Sequence, residues 1–297
     1  MTGLESRFPD VAGLRSALEA TGYLTDEPLA TALFLAVRMA QPILLEGEPG
    51  AGKTEAAKAL AQALETPLLR LQCYEGLTSS EALYEWNYPR QLLAIRLAES
   101  RGEALHDADL FTEDYLLARP LLAALDHPGP RPAVLLVDEV DRGDDEFEAF
   151  LFELLAEASV TIPELGTRVA RFPPVVVLTS NRTRDLHDAL KRRCLYHWID
   201  YPGTDRVAAI IRRRVPGASE RLSRQVAHWV VRLRGLGLAK PPGVAEAISC
   251  AQALGVLGVD TLDTDTAAQT AGAVLKYSED LQTLQAAGFA ALTSDEY

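Results

Sequence analysis

The chain has 297 residues, of which 48% are hydrophobic and 24% charged, a balance typical of a folded globular protein rather than a disordered one. Its formal net charge of -13 argues against a general binder of nucleic acid or anionic membrane, although it leaves room for a local basic patch. The three distant cysteines, Cys73, Cys194 and Cys250, argue against a disulfide framework and a Cys-x-x-Cys metal site.

From the sequence pattern we expect neither a secretory signal nor a membrane span. The N-terminal residues MTGLESRFPD lack a basic segment followed by an apolar one, which a secretory signal requires. No apolar run approaches the roughly 20 residues that span a bilayer. We therefore expect a soluble cytoplasmic protein with no membrane insertion.

Short apolar runs separated by helical patterns dominate the first two thirds of the chain. The runs are residues 43–45, 134–137 and 175–178, with a weaker candidate at 68–71. Buried strands alternating with helices predict a parallel sheet covered by helices. Beyond Tyr201-Pro202-Gly203 only helical periodicity follows. We therefore predict an α/β domain over 1–201 and an all-helical domain over 202–297.

A complete phosphate-binding pattern, G-x-x-x-x-G-K-[ST], follows the first apolar run. Its residues are Gly47, Glu48, Pro49, Gly50, Ala51, Gly52, Lys53 and Thr54. Glycines let backbone N–H groups surround a phosphate, and the next helix directs its positive end toward the same anion. Lys53 supplies a cation for the terminal phosphates, and the Thr54 hydroxyl can ligate Mg²⁺. A chance glycine-rich loop is the alternative, and the preceding strand and following helix argue against it.

Two carboxylates, Asp138 and Glu139, follow the apolar run 134–137. Because parallel strands end at one edge of the sheet, Asp138 is expected near the phosphate loop, where it can hold Mg²⁺. Glu139 can then polarise the attacking water. The alternative is an acidic pair that caps the next helix.

Polar and basic residues complete the pattern. Asn181 follows the run 175–178 and can position the attacking water, or it can simply close a turn. Arg192 and Arg193 stand in a basic cluster within an acidic chain. One interpretation is a solvated helix end, which cations favour. The other is an arginine finger that enters a neighbouring subunit's site, with Arg193 as the first candidate and Arg192 as the second.

These four elements, in this order, resemble the AAA+ ATPases and specifically the MoxR family. Glu48-Pro49-Gly50, Asp138-Glu139, Ser180-Asn181 and the basic cluster carry the resemblance, which extends over almost the whole chain. It implies a P-loop NTPase core of α/β class, a C-terminal helical lid, and Mg²⁺-dependent hydrolysis of ATP. It also implies that Tyr23, after Gly22, lies by the adenine, although Tyr23 is equally read as a core residue.

The resemblance further implies a ring of identical subunits, a hexamer, that remodels a client protein. The usual partner carries a von Willebrand factor A domain, and the client is often a metalloenzyme that awaits its cofactor. A low-turnover nucleotide-dependent switch is the alternative function, and a nucleic-acid machine is disfavoured by the net charge.

One departure from the family pattern lies in the lid. Residues 240–247 read KPPGVAEA and lack the arginine with which such lids sense the γ-phosphate. This version looks most like the CoxD branch, whose members are linked to maturation of carbon monoxide dehydrogenase. Lys240 is a candidate substitute for the arginine, or a solvated lysine.

Overall fold

The computed structural model describes residues 7–293, so the outer ends of the predicted domains 1–201 and 202–297 lie outside it. The described residues form two compact units. The first unit holds residues 7–18, 25–46 and 54–198, and the second holds 19–24, 47–53 and 199–293. The domain boundary at residue 201 stays a prediction.

The strands lie before residue 200. They are β1 (Ile43–Gly47), β2 (Leu68–Gln72), β3 (Tyr84–Trp86), β4 (Leu116–Ala118), β5 (Val134–Asp138), β6 (Ser159–Ile162), β7 (Gly166–Val169), β8 (Val175–Ser180) and β9 (Leu195–Ile199).

Helices of at least four residues connect the strands and follow the last one. They are α1 (Val11–Ala20), α2 (Glu27–Met39), α3 (Lys53–Leu64), α4 (Ser79–Leu83), α5 (Tyr88–Arg101), α6 (Asp107–Leu110), α7 (Pro120–Leu125), α8 (Asp145–Glu157), α9 (Asp188–Arg193), α10 (Thr204–Arg214), α11 (Glu220–Arg234), α12 (Val244–Val256), α13 (Thr264–Val274), α14 (Ser278–Ala287) and α15 (Phe289–Thr293). Single 3₁₀ turns lie at Glu113–Tyr115 and Val140–Arg142.

A five-stranded sheet in the order β2-β5-β8-β1-β9 is the centre of the fold. The pairs β2–β5, β5–β8 and β1–β8 are parallel. Every residue of β1, β5 and β8 is buried, because helices cover both faces of the sheet. The predicted α/β class with a parallel sheet is therefore confirmed, and β9 is a strand that the apolar runs did not reveal.

The first unit has its own apolar core. Leu135, Val137 and Leu178 of the sheet pack with Phe147 and Leu151 of α8 in one cluster of buried side chains. Strands β6 and β7 form an antiparallel hairpin beside this core, and β3 pairs with β4 in a second one. The core fixes β5 and β8 next to each other, so their carboxyl ends meet at one edge of the sheet.

Only helices and turns follow residue 199 within the described part of the chain. Helix α11 carries one strongly apolar face, and Trp229, Val230 and Leu233 of that face are buried in a second core. Ser219 caps α11 by accepting a hydrogen bond from the backbone N–H of Leu222, and Asp263 caps α13. The helical C-terminal region predicted from the sequence is present.

Candidate functional site

The glycine-rich loop connects β1 to α3. Strand β1 ends at Gly47 and α3 begins at Lys53. A side chain at Gly47 would place its Cβ 2.2 Å from the carbonyl oxygen of Ile199, so only glycine fits there. Gly50 has a φ of +79°, and a Cβ on it would lie 3.0 Å from Gly243. The loop therefore needs glycines for its close approaches as well as for its backbone shape.

Lys53 lies over the loop that precedes it. Its Nζ donates hydrogen bonds to the carbonyl oxygens of Gly47, at 2.7 Å, and Glu48, at 2.9 Å. Only 6% of the residue is exposed. The Lys53 ammonium is thus buried against the loop backbone. It supplies the positive charge that an anionic phosphate requires.

Three residues from elsewhere in the second unit hold the loop backbone. The hydroxyl of Tyr201 donates to the carbonyl of Pro49 at 2.9 Å, and the N–H of Val244 donates to the carbonyl of Gly50 at 3.1 Å. The hydroxyl of Tyr23 lies 3.4 Å from the carbonyl oxygen of Gly52. Tyr23 therefore contacts the loop, and its role beside an adenine stays a prediction.

Arg234 supports this arrangement from helix α11. Its guanidinium lies 4.3 Å from the ring centroid of Tyr201 and donates to the carbonyls of Pro242, at 2.8 Å, and Pro202, at 3.0 Å. Burial raises the pKa of the Tyr201 phenol and lowers the pKa of the Arg234 guanidinium. Sequence reasoning missed both residues, because a single tyrosine and a helix-end arginine match no motif.

Lys240 lies in the lid loop that lacks the family arginine. It lines a small cavity of about 110 Å³ together with Pro49 and Gly50 of the phosphate loop and Glu246 and Lys276. Its Nζ lies 6.0 Å from the ring centroid of Tyr277. Lys240 is thus next to the loop, as a substitute for the missing arginine must be.

The carboxylate of Asp138 accepts hydrogen bonds from three side chains of the first unit. Thr54 Oγ1, on the first turn of α3, donates to its Oδ1 at 3.0 Å, and Thr179 Oγ1 of β8 donates to the same atom at 2.5 Å. Arg70 of β2 donates to Oδ2. Only 3% of Asp138 is exposed. The structure therefore brings together Thr54 and Asp138, the two metal-ligand candidates.

Glu139 directly follows this buried carboxylate. Its backbone has a φ of +55°, and its N–H donates to Thr179 Oγ1 at 2.9 Å. Its carboxylate is about a third exposed and pairs with Arg142 at 3.1 Å. This left-handed backbone, which is rare outside glycine, follows directly on the last residue of β5. Glu139 therefore has access to water, as a base that activates water needs.

Asp141 organises the loop that carries Asn181. Its buried carboxylate accepts hydrogen bonds from the backbone N–H of Asn181, at 3.2 Å, and of Thr183, at 2.8 Å. The Thr183 hydroxyl donates to it as well, at 2.7 Å. Asn181 is thus fixed through its backbone, and its predicted action on water stays a prediction. Asp141 lies in none of the sequence motifs, so the sequence did not reveal this contact.

The donor set at Asp138 suits magnesium. The described side chains contain no group of three or more His, Cys, Asp or Glu that could hold a metal by themselves. Mg²⁺ prefers hard oxygen ligands and usually takes one or two from protein, with phosphates and water supplying the rest. A carboxylate beside a threonine hydroxyl fits that preference. The residues that would hold the ion are Asp138 and Thr54.

The basic cluster ends helix α9. Both Arg192 and Arg193 are exposed. The guanidinium of Arg193 lies 4.3 Å from the ring centroid of Phe152, and its backbone carbonyl accepts a hydrogen bond from Gln41 Nε2. Neither of these contacts, both between described residues, involves Asp138 or Glu139. Arg193 is therefore at the surface of the first unit, and its action on a neighbouring subunit's site stays a prediction.

Comparison with known proteins identifies the class. The family model of the AAA domain (dynein-related subfamily) matches residues 42–194, just over half of the chain. The chain therefore belongs to this family, and it has the AAA+ P-loop ATPase fold. A search of curated proteins found no match.

The chain is also similar to solved structures of RuvB. The RuvB Holliday junction branch migration motor of Thermotoga maritima is 18% identical, over 84% of this chain and 69% of that one, with a TM-score of 0.48. A point mutant of that RuvB is 18% identical, over 86% of this chain and 72% of that one, with a TM-score of 0.51.

Within residues 7–293 we find no helix that is both long and apolar enough to cross a bilayer.

Proposed function

We propose that the protein is a cytoplasmic, Mg²⁺-dependent ATPase that acts as a hexameric ring and remodels a client protein. The observation that carries the hydrolysis part is the set of hydrogen bonds from Thr54 and Thr179 to the Asp138 carboxylate. It connects the end of the phosphate loop, the metal-ligand candidate and the strand that leads to Asn181. A protein that only bound nucleotide would not need the base candidate Glu139 held next to that carboxylate.

The division of roles follows the chemistry of each side chain. The loop from Gly47 to Thr54 binds the phosphates through backbone N–H groups, and Lys53 neutralises charge on the terminal phosphates. Asp138 and Thr54 would hold the metal, which would screen the phosphate charges. Glu139 takes a proton from water, and Asn181 orients that water.

A neighbouring subunit completes the site in this proposal. Arg193, with Arg192 as the second candidate, supplies positive charge to the transition state in the adjacent site. The stacking of Arg193 on Phe152 supports this role, since it holds the guanidinium at the exposed end of α9. A ring is then required for activity, because the catalytic residues come from two copies.

The client is proposed from the family resemblance. A partner with a von Willebrand factor A domain would connect the ring to a metalloenzyme that awaits its cofactor. The acidic net charge of -13 supports a protein client over nucleic acid. The likeness to RuvB does not oppose this, because at 18% identity it concerns the fold alone.

Phosphate release from ATP tests the hydrolysis part. Glu139→Gln should lower kcat by about 10²- to 10⁴-fold while ATP binding persists, since only the base is lost. Glu113→Gln is the matched control, because Glu113 is an exposed carboxylate paired with Arg168. A wild type that binds ATP with no turnover above the Glu139→Gln level would favour the nucleotide-dependent switch instead.

A trapped complex tests the client part. Glu139→Gln loaded with ATP should co-purify from its own cells with a protein that carries a von Willebrand factor A domain, identified by mass spectrometry. Co-purification of nucleic acid, lost on nuclease treatment, would contradict the assignment of a protein client.

A further inference from the structure

Arg70 makes a contact that the proposed catalytic scheme does not use. It lies on β2, an edge strand of the sheet, and its Nη2 and Nε donate to Asp138 Oδ2 at 2.6 and 3.0 Å. Its Nη2 also donates to Gln72 Oε1 at 2.6 Å. The Arg70 side chain is 46% exposed, whereas that of Asp138 is 4% exposed. A partly solvated cation therefore neutralises a buried carboxylate.

This pairing fills the remaining side of the carboxylate. Oδ1 of Asp138 accepts from Thr54 and Thr179, and Oδ2 accepts from Arg70 and, at 3.3 Å, from Thr54. A divalent cation that approaches Asp138 thus meets a guanidinium already on Oδ2. Like charges a few ångströms apart repel strongly where one side is shielded from water. Mg²⁺ and Arg70 consequently cannot both use Oδ2 without a rearrangement.

We propose that Arg70 is a built-in counter-ion that competes with Mg²⁺ for Asp138 and so sets the metal affinity of the nucleotide site. This inference rests on the proposed function, in which Asp138 holds the metal of Mg-ATP. Before the metal arrives, Arg70 prevents an uncompensated charge in the buried end of β5, which would be costly. When the metal arrives, the half-exposed guanidinium can leave Oδ2 for water and keep its hydrogen bond to Gln72.

The substitution Arg70→Gln tests the competition because it removes the charge and leaves a polar side chain on an edge strand. Mn²⁺ is the probe, and its binding to protein plus a non-hydrolysable ATP analogue is followed by electron paramagnetic resonance. Arg70→Gln should bind Mn²⁺ more tightly, with a Kd lower by on the order of tenfold. The proposal requires a decrease of at least about threefold. The affinity of Arg70→Gln for the analogue in EDTA should not exceed that of the wild type, because without metal nothing competes with Arg70 for Asp138.

Two further variants keep the test specific. Arg119→Gln removes the same charge from another half-exposed arginine, one that is paired with Glu85, and should leave Mn²⁺ binding unchanged. Arg70→Lys keeps a charge but loses the planar two-donor contact, so its Mn²⁺ affinity should lie between wild type and Arg70→Gln. Should Arg70→Gln fail to fold, a tighter Mn²⁺ affinity in Arg70→Lys carries the same conclusion.

The possible failures are distinguishable. If wild type binds the analogue and Mn²⁺ but Arg70→Gln and Arg70→Lys bind Mn²⁺ equally or more weakly, the competition is overturned and the ATPase assignment stands. If wild type binds no Mn²⁺ with the analogue, the proposed function itself is wrong.

Discussion

Thr179 donates a 2.5 Å hydrogen bond to Asp138 Oδ1 from the neighbouring strand. The same Thr179 hydroxyl accepts the backbone N–H of Glu139 at 2.9 Å. One buried hydroxyl therefore fixes both the rotamer of the metal-ligand candidate and the backbone position of the base candidate. The parallel pairing of β5 with β8 makes this possible, because it places the two strand ends side by side.

Removing that hydroxyl should affect stability and turnover together. Thr179→Val keeps the shape but leaves the Glu139 N–H without its acceptor, so we expect a loss of about 1–3 kcal/mol in the free energy of unfolding. The kcat should fall as well, and urea denaturation and phosphate release measure the two effects. Thr167→Val is the control, since Thr167 pairs with Thr161 on an exposed hairpin. Equal effects of the two substitutions would contradict a positioning role for Thr179.

Loss of the loop ammonium should weaken nucleotide binding. Lys53→Ala removes a charge-assisted contact to phosphate, and we expect the Kd of a fluorescent ATP analogue to rise about 10- to 100-fold. Lys58→Ala, on the same helix, loses only a surface pair with Glu55 and should bind normally. An unchanged Kd in Lys53→Ala would exclude this loop as the phosphate site.

The Tyr201 hydroxyl should stabilise the loop measurably. Tyr201→Phe deletes its 2.9 Å hydrogen bond to Pro49, and we expect a loss of about 0.5–1.5 kcal/mol in unfolding free energy. The affinity for nucleotide should fall as well, because the phosphate loop loses a hydrogen bond that holds its backbone. Tyr88→Phe, at an exposed ring, serves as the reference. A stability equal to that of Tyr88→Phe would show that the contact contributes nothing.

Three buried thiols predict a loss of stability at high pH. Burial raises the pKa of Cys73, Cys194 and Cys250 from 9.0 to about 12. Between those values the unfolded chain releases thiol protons that the folded chain retains. The stabilisation is therefore complete below pH 9 and falls as pH rises toward 12, by up to about 1.4 kcal/mol per pH unit for each thiol.

Guanidinium denaturation at pH 8 and pH 10 measures this loss. The wild type should lose clearly more stability between the two values than a variant with all three cysteines changed to alanine. Native thiols should also resist alkylation at pH 8 and react only after unfolding. The same pH slope in both proteins would contradict the shifted thiol pKa values.

Much of the fold was predictable because its strands are short, apolar and buried. The runs at 43–45, 134–137 and 175–178 lie within β1, β5 and β8, where both faces are covered. Strand β9 was not predicted, because Leu195–Ile199 is an edge strand with polar residues and no continuous apolar run. Most residues of β9 are only partly buried or exposed, so the strand does not need a continuous apolar run.

The candidate site was predictable only where a motif specifies the chemistry. Two motifs indicated Thr54 and Asp138, and the fold brings these two residues into hydrogen-bond contact. Arg70 and Thr179 gave no such signal, since their roles depend on which strands pair and on which side chains share an edge of the sheet. Periodicity describes burial along one segment and says nothing about partners on another.

The shared site between subunits is the central claim, and complementation tests it most directly. Arg193→Ala and Glu139→Gln are each purified, and ATPase rate is measured against protein concentration for each variant, for wild type and for the mixture. Mixing should rebuild junctions in which one copy supplies Glu139 and its neighbour supplies Arg193. We predict a wild-type rate per subunit that rises steeply with concentration and a mixture that recovers part of it. A rate per subunit independent of concentration, with no recovery on mixing, would contradict the ring and leave a monomeric switch.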